Sequence, residues 1–293
     1  MKKLATAVAI AAALMMTACA GKDGDNDSGA GRASSSASGS AVDKASSLVS
    51  KASQGQAQLF KLLNDKDYLR GGLIPVLVRA PGAPDTASPQ VVWITADYKY
   101  ILPTEPLSEN GGGLNKEILV KSGFMKDPTD LDSQIASSGF VDGKSGPVIT
   151  SFMDPNCVHC HSFYEAVSPL VASGKVRVRY LMVGFLRPSS VPLSANILAS
   201  KDPAAELKRI EDSYKKRAGG DDPLPEVKDQ SKVGVVQQNA ELLGKLGDVA
   251  TPALVYCLKE GDGLTFVNGG MSPEGLAQLI TKLDGNSKHA SCK

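Results

Sequence analysis

The sequence predicts an α+β protein of two unequal domains behind an export signal. Three observations carry this. Apolar and β-branched runs at Leu73–Val78, Val91–Thr95 and Tyr98–Leu102 lie between Pro- and Gly-rich breaks and read as strands of a small first domain. A buried-strand pattern from Pro147 to Met153 runs into Cys157 and Cys160 at the head of a helical stretch. Thr251-Pro252 then precedes a further strand-like run, Ala253–Leu258.

The N-terminus sets the compartment. Lys2 and Lys3 precede an apolar run, Leu4–Met16, that suits a signal peptide and is too short to span a bilayer. Met16-Thr17-Ala18-Cys19 resembles a bacterial lipobox, in which Cys19 becomes the lipidated first residue. The rival reading is ordinary cleavage after Ala18-Cys19-Ala20. Several acyl chains would anchor stably where one would not. Ala20, rather than Asp, after the cysteine resembles the outer-membrane type more than the inner. Residues 1–18 are therefore expected to be a signal peptide. Residues 19–53, rich in Gly, Ser, Ala and Asp, are expected to form a flexible tether, because they offer little apolar surface to offset ordering entropy.

The first domain is assigned to residues 54–112. Gln58–Leu63 reads as the end of a short helix. Pro75 marks the first strand as weak or as an edge, and Ala96-Asp97 reads as a two-residue hairpin turn. Asn110-Gly111-Gly112-Gly113 ends the domain. Residues 113–138 read as a linker helix broken at Pro128, and residues 139–293 as the second domain. There, Asp154-Pro155-Asn156 is a turn into the helix Cys157–Ala172, in which Pro169 should make a kink. Val176–Val183 is a strand, Ser189–Leu246 is helix-rich, Leu264–Val267 is a short strand, and Ser272-Pro273 starts a last helix. This order is that of a thioredoxin fold with a helical insertion.

Lys plus Arg number 32 and Asp plus Glu 31, a formal charge of +1, which gives no electrostatic case for binding nucleic acid. Five cysteines occur: Cys19, Cys157, Cys160, Cys257 and Cys292. A CxxC at a helix start has a physical use. Unpaired N–H groups and the partial positive charge of the helix end favour the thiolate of Cys157, which can attack a disulfide, and Cys160 one turn inward can resolve the product. Cys157-Val158-His159-Cys160-His161 also matches the C-x-x-C-H haem attachment pattern, but the flanking strand and Thr-Pro speak against it. Zinc would need a second close Cys/His pair, which is missing. A purely structural bridge over so tight a loop would stabilise little. No cofactor and no metal is expected. His159, beside Cys160, is expected to tune the redox pair through its partly positive ring; His161 is given no role. Thr251 and Pro252 are expected to lie beside Cys157, where a cis-proline would expose backbone for a client chain to pair with. Cys257 and Cys292 are a candidate structural disulfide, worth up to about 4 kcal/mol; the alternative is two free thiols.

These residues resemble the DsbC/DsbG family of periplasmic disulfide isomerases, and within it the DsbG branch. The resemblance is carried by Phe152-Met153-Asp154-Pro155-Asn156-Cys157-Val158-His159-Cys160, Ser173-Gly174-Lys175-Val176, Leu181-Met182-Val183-Gly184, Ile197–Ala204 and Val249-Ala250-Thr251-Pro252-Ala253. It covers about residues 139–286 well and residues 57–138 more loosely. It implies a cystatin-like dimerisation domain at the N-terminus, a homodimer, misoxidised or unfolded exported proteins as clients, and a DsbD-like membrane reductase as partner. Isomerase, reductase and chaperone activities are implied, as is reduction of sulfenic acids. Two features depart from the family pattern: Val158-His159 in place of Pro-Tyr or Gly-Tyr, and the lipobox with its tether. The first resembles the DsbA oxidases and leaves an oxidase as the alternative, whereas Thr251 before the proline favours the isomerase or reductase.

Overall fold

In the computed structural model the described residues are 40–84, 87–102, 104–107, 113–218, 224–247, 249–261 and 263–293. Contacts divide the chain into two units, one ending at Phe124 and one beginning at Met125. The expected signal peptide, Cys19 and most of the expected tether lie outside the described residues.

The first unit is built on β2 (Leu73–Arg79), the middle of an antiparallel sheet with β1 (Gln58–Leu62) on one side, and β3 (Gln90–Thr95) followed by β4 (Ile101–Leu102) on the other. Both faces of β2 are covered. Ile74, Val76 and Val78 pack with Ile94 and with Ala45 and Val49 of helix α1 (Ala41–Ala52), while Leu77 packs with Leu63, Trp93 and Ile118 of α2 (Leu114–Lys121).

Four expectations for this unit are corrected. The tether does not stay flexible to Ser53, because Ser40 and Asp43 form a reciprocal capping box that starts α1, and its small apolar stripe finds the sheet. Gln58–Leu62 is a strand, not a helix end; the helix stops earlier, at Ser53, and Gln54 and Gly55 turn the chain in left-handed conformations. Pro75 lies in an interior strand, tolerated because it sits opposite Leu63, just past the end of β1. There its carbonyl accepts from the Leu63 N–H and no proline N–H is needed. The hairpin loop is longer than Ala96-Asp97. Thr95 accepts from the Tyr98 N–H, Tyr98 is left-handed, and pairing resumes only at Ile101.

The second unit opens with a 3-10 turn (Pro128–Leu131) and α3 (Asp132–Ala136); the expected linker helix stops earlier, α2 ending at Lys121 before the left-handed Gly123, and Pro128 starts the next turn. Its sheet has the order β5-β7-β6-β8-β9, with β5 Phe140–Asp142, β6 Val148–Met153, β7 Arg177–Met182, β8 Ala253–Cys257 and β9 Leu264–Asn268. β6 and β7 are parallel and the other pairs antiparallel. β6 is central and buried at every position, which explains its unbroken apolar pattern. Ile149 and Met153 face Phe163 and Val167 of α4 (Val158–Ala172) and Leu276 of α9 (Pro273–Lys282). Phe152 faces Leu242, Leu243 and Leu246 at the end of α8 (Ser231–Lys245). α4 runs on through Pro169 and ends at Gly174, whose left-handed backbone lets the Gly174 and Lys175 N–H groups close on Val171 and Leu170. The insertion after β7 holds α5 (Ser190–Ala199), α6 (Pro203–Asp212), capped by Asp202 with Pro203 in the first turn, α7 (Tyr214–Ala218) and α8.

Cys257 and Cys292 are joined as a disulfide across 35 residues. The tail around Cys292 is held further by Asp132, whose carboxylate accepts from the Ala290 and Ser291 N–H groups and from the Ser291 hydroxyl.

Trp93 is the chain's one tryptophan and is buried in the first unit, so its fluorescence reports that unit alone. Val49→Asp would put a charge between α1 and the sheet. It is expected to destabilise the Trp93 transition in urea by about 2 kcal/mol or more; an unchanged midpoint would show that α1 does not pack there.

Candidate active site

The strand β6 delivers the chain to Asp154, and a short loop then turns it into α4. Asp154 is fully buried and its carboxylate is saturated. It accepts from the N–H groups of Asn156, Phe185 and Leu186 and from the Ser190 hydroxyl at 2.7–3.1 Å. Asn156 donates to the hydroxyls of Ser189 and Ser190, and Arg217 of α7 donates to the Asn156 side-chain oxygen and the Pro155 carbonyl. Two separate segments, Phe185–Ser190 and α7, thus fix the loop before Cys157, and the cost of burying the carboxylate is met by hydrogen bonds.

Cys157 is the N-cap of α4. Its sulfur occupies the place usually held by an Asp or Ser oxygen, 3.4 Å from the Cys160 N–H. It also lies 3.2 Å from the Thr251 carbonyl, to which the thiol donates while it is protonated. The thiol is pulled down to about 6, first by the hydrogen bond from the Cys160 thiol. Burial opposes this, and the Thr251 side chain and the backbone N–H groups of Cys160 and His159 add to it. Cys160 is fully buried, and that burial, with the thiolate next to it, pushes its own thiol far up. The two cysteines therefore stand as unequal thiols: one ionised at neutral pH and 5% exposed, the other fully buried and held protonated.

The structure brings Cys157, Cys160 and Thr251 together, with the Thr251-Pro252 bond cis. The Pro252 carbonyl accepts from the N–H of Gly269, just past the end of β9. Gly270 follows so closely that a Cβ there would meet Pro252 and the His159 carbonyl at 3.5 and 3.6 Å, so the end of β9 also borders the site. The His159 ring is exposed, and the contact this residue makes with the sulfur is through its backbone N–H. Cys257 and Cys292 sit on the other face of the sheet, packed with Phe152. Cys19 lies outside the described residues. Among the described residues no group of three His, Cys, Asp or Glu could hold a metal ion.

Sequence reasoning missed three contributors. Asp154 reads as a turn residue, His161 is given no role, and Arg217 is not singled out at all. His161 is in fact buried, with Nδ1 2.8 Å from Glu211 and its ring stacked on Tyr214. One signal was available: His161 is four residues beyond Cys157 and so shares its helix face.

Residues 141–284 match a protein-family model described as a thioredoxin-like domain. Two proteins called thiol:disulfide interchange protein DsbG are similar to this chain. That of Pseudomonas aeruginosa is 31% identical over 192 residues, covering 64% of this chain and 73% of that protein. That of Escherichia coli K12 is 33% identical over 174 residues, covering 58% and 68%. Among solved structures, the catalytic domain of Proteus mirabilis ScsC is similar over 57% of this chain and 96% of that one, at 20% identity and a TM-score of 0.37.

The depressed thiol predicts a pH profile. Alkylation of the reduced protein by iodoacetamide should fall on Cys157 alone, with a midpoint near pH 6. Because the groups acting on the sulfur are the Cys160 thiol, the Thr251 side chain and backbone N–H groups, His159→Tyr should leave that midpoint unchanged; a rise would assign the effect to the imidazole instead. A folded value near 6 against an ordinary value near 9 stabilises the dithiol form. That stability is complete above about pH 9 and is lost as pH falls through 6. Urea unfolding of the dithiol form, measured against the disulfide form, should show this rise between the two values.

Proposed function

The chain belongs to the DsbG family of thiol:disulfide interchange proteins, and from that premise we propose that it is a disulfide isomerase and reductase of exported proteins. The observation that carries the reading is the asymmetry of the two thiols: Cys157 ionised and next to Thr251, Cys160 buried and protonated. A pair poised in this way starts its cycle reduced. The Cys157 thiolate attacks one sulfur of a client disulfide, forming a mixed disulfide and releasing the other sulfur as a thiolate. That client thiolate, or one it displaces from another client disulfide, can then attack the client sulfur of the mixed disulfide; a rearranged client disulfide forms and Cys157 leaves as the thiolate. Alternatively Cys160, giving up its proton, attacks the Cys157 sulfur; the client leaves reduced and Cys157 and Cys160 are oxidised to a disulfide. Attack on a client sulfenic acid gives the same mixed disulfide with loss of hydroxide, and Cys160 completes it in the same way. A DsbD-like membrane reductase would return the two electrons.

Thr251 and Pro252 are assigned to client contact. Val158, Leu186 and Val249 support unfolded clients, since all three are exposed apolar side chains on the segments that hold the site. A homodimer through the first unit is part of the same reading. So is a periplasmic location with Cys19 as lipid anchor, in the outer membrane rather than the inner. A second reading, a DsbA-like oxidase, is favoured by the same low thiol, because a stabilised thiolate makes the disulfide more oxidising. Thiol trapping in cells separates the two: a mostly reduced pair supports the isomerase, a mostly oxidised one the oxidase.

Cys157→Ala should abolish refolding of a scrambled disulfide client, to below about 1% of wild type, because the attacking group is gone. Cys160→Ala should still attack and should accumulate the mixed disulfide, seen as a reducible adduct on a gel. Adduct formation by Cys157→Ala would reverse the roles.

Cys19→Ser should move the protein from the membrane fraction to the soluble fraction or leave it unprocessed. Identical fractionation would remove the lipid anchor from the reading.

A further inference from the structure

One buried acid in the second unit has no part in the cycle above. Glu211, in the last turn of α6, is 2% exposed. One carboxylate oxygen is 2.8 Å from His161 Nδ1, and the other, Oε1, has no hydrogen-bond partner among the described residues. Burying a carboxylate with one oxygen unmet is costly, and that cost needs a reason. The position offers one. The His161 N–H bonds to the Cys157 carbonyl, so His161 lies one helical turn behind the attacking sulfur, on the same face. Glu211 and Tyr214 both lie within the electrostatic reach of Cys157.

Several charged and titratable groups face the pair from the elements packed against it. From α4, Tyr164 and Glu165 face the pair, with Glu165 3.4 Å from His161 Nε2. From β5 comes Asp142, and from α6 Lys208 and Asp212. From α7, Lys215 lies 3.8 Å from Glu165, and Arg217 draws the Glu211 carboxyl down. All of these groups except Arg217 border a cavity of about 780 Å³. Burial pushes Glu211 up to about 7, against the lowering effect of His161. The thiolate of Cys157 adds to that rise, and repulsion between two charges acts on both.

We propose that Glu211, held by His161 behind Cys157, is a positioning residue whose negative charge weighs against the Cys157 thiolate and whose protonation lifts that weight. His161 is the donor that keeps the carboxylate in place and ionised. The pair thereby makes the reactivity of the first cysteine depend on a group outside the CxxC loop.

The test uses the full chain equilibrated with glutathione at pH 8 and at pH 5.5, as wild type, Glu211→Gln, His161→Phe and the double variant. His161→Phe keeps a ring against Tyr214 but removes the donor, so the carboxyl should stay protonated. Each single variant is expected to shift the equilibrium toward the dithiol by about threefold or more at pH 8, equivalent to about half a pKa unit of Cys157. Neither should shift it at pH 5.5, and the double variant should match the singles. No shift at pH 8, equal shifts at both pH values, or shifts that sum in the double variant would overturn the proposal, since a merely structural contact is blind to the charge. The inference rests on Cys157 being the attacking thiol. Peptide mapping of iodoacetamide-labelled samples tests that separately: label on Cys157 in every variant upholds the assignment, and label elsewhere defeats it whatever the equilibrium shows.

Discussion

The second unit is organised around one unusual cap. A helix leaves its first N–H groups without partners, and most proteins meet them with an oxygen from Asp, Ser, Thr or Asn. Here the partner at the head of α4 is the sulfur of Cys157. The arrangement serves helix and thiol together. The helix start gains an acceptor, and the sulfur gains donors that are strongest for it when it is negative. An oxygen cap would hold the helix as well but could not attack a disulfide.

Keeping a reactive sulfur in that position places demands on the rest of the unit. The approach strand must not shift, and β6 is buried on both faces between α4 and α8. The loop after it must not flex, and the buried Asp154 carboxylate ties it to the segment after β7 while Arg217 ties it to α7. The helical insertion between β7 and β8 is therefore not an appendage. It supplies Ser189, Ser190, Arg217 and Glu211, all within one or two contacts of the CxxC turn. A fold of strand, helix and strand alone would leave those roles empty.

What the sequence made legible follows from the range of each interaction. The CxxC turn, the strand before it, the Asp202 and Ser272 caps and the Thr-Pro turn are local patterns and read correctly from neighbouring residues. The helix α1 has a local signal too, Ser40 with Asp43, but it is hidden in a stretch whose composition argues for disorder. Its stability comes from Ile74, Val76 and Ile94, which lie far along the chain. Pro75 misleads for the converse reason, since its cost depends on where a neighbouring strand ends. Asp154 meets its distant partners across 31 to 36 residues, and His161 and Arg217 meet theirs across 50 to 62, and no spacing rule relates them. Local chemistry was visible, and its tuning was not.

The link between Cys257 and Cys292 has a consequence for a catalyst of this kind. A protein that opens disulfides works among copies of itself, each armed with the same nucleophile. Exchange needs a thiolate to come in along the axis of the sulfur–sulfur bond. Both partners of this link are almost fully shielded, at 3% and 1% exposure, and lie on the opposite face of the sheet from Cys157. The molecule thus carries an internal exemption: its own staple is the one bond of the type it cleaves that neighbouring copies cannot reach while it is folded. An unfolded copy loses that exemption and becomes a client like any other.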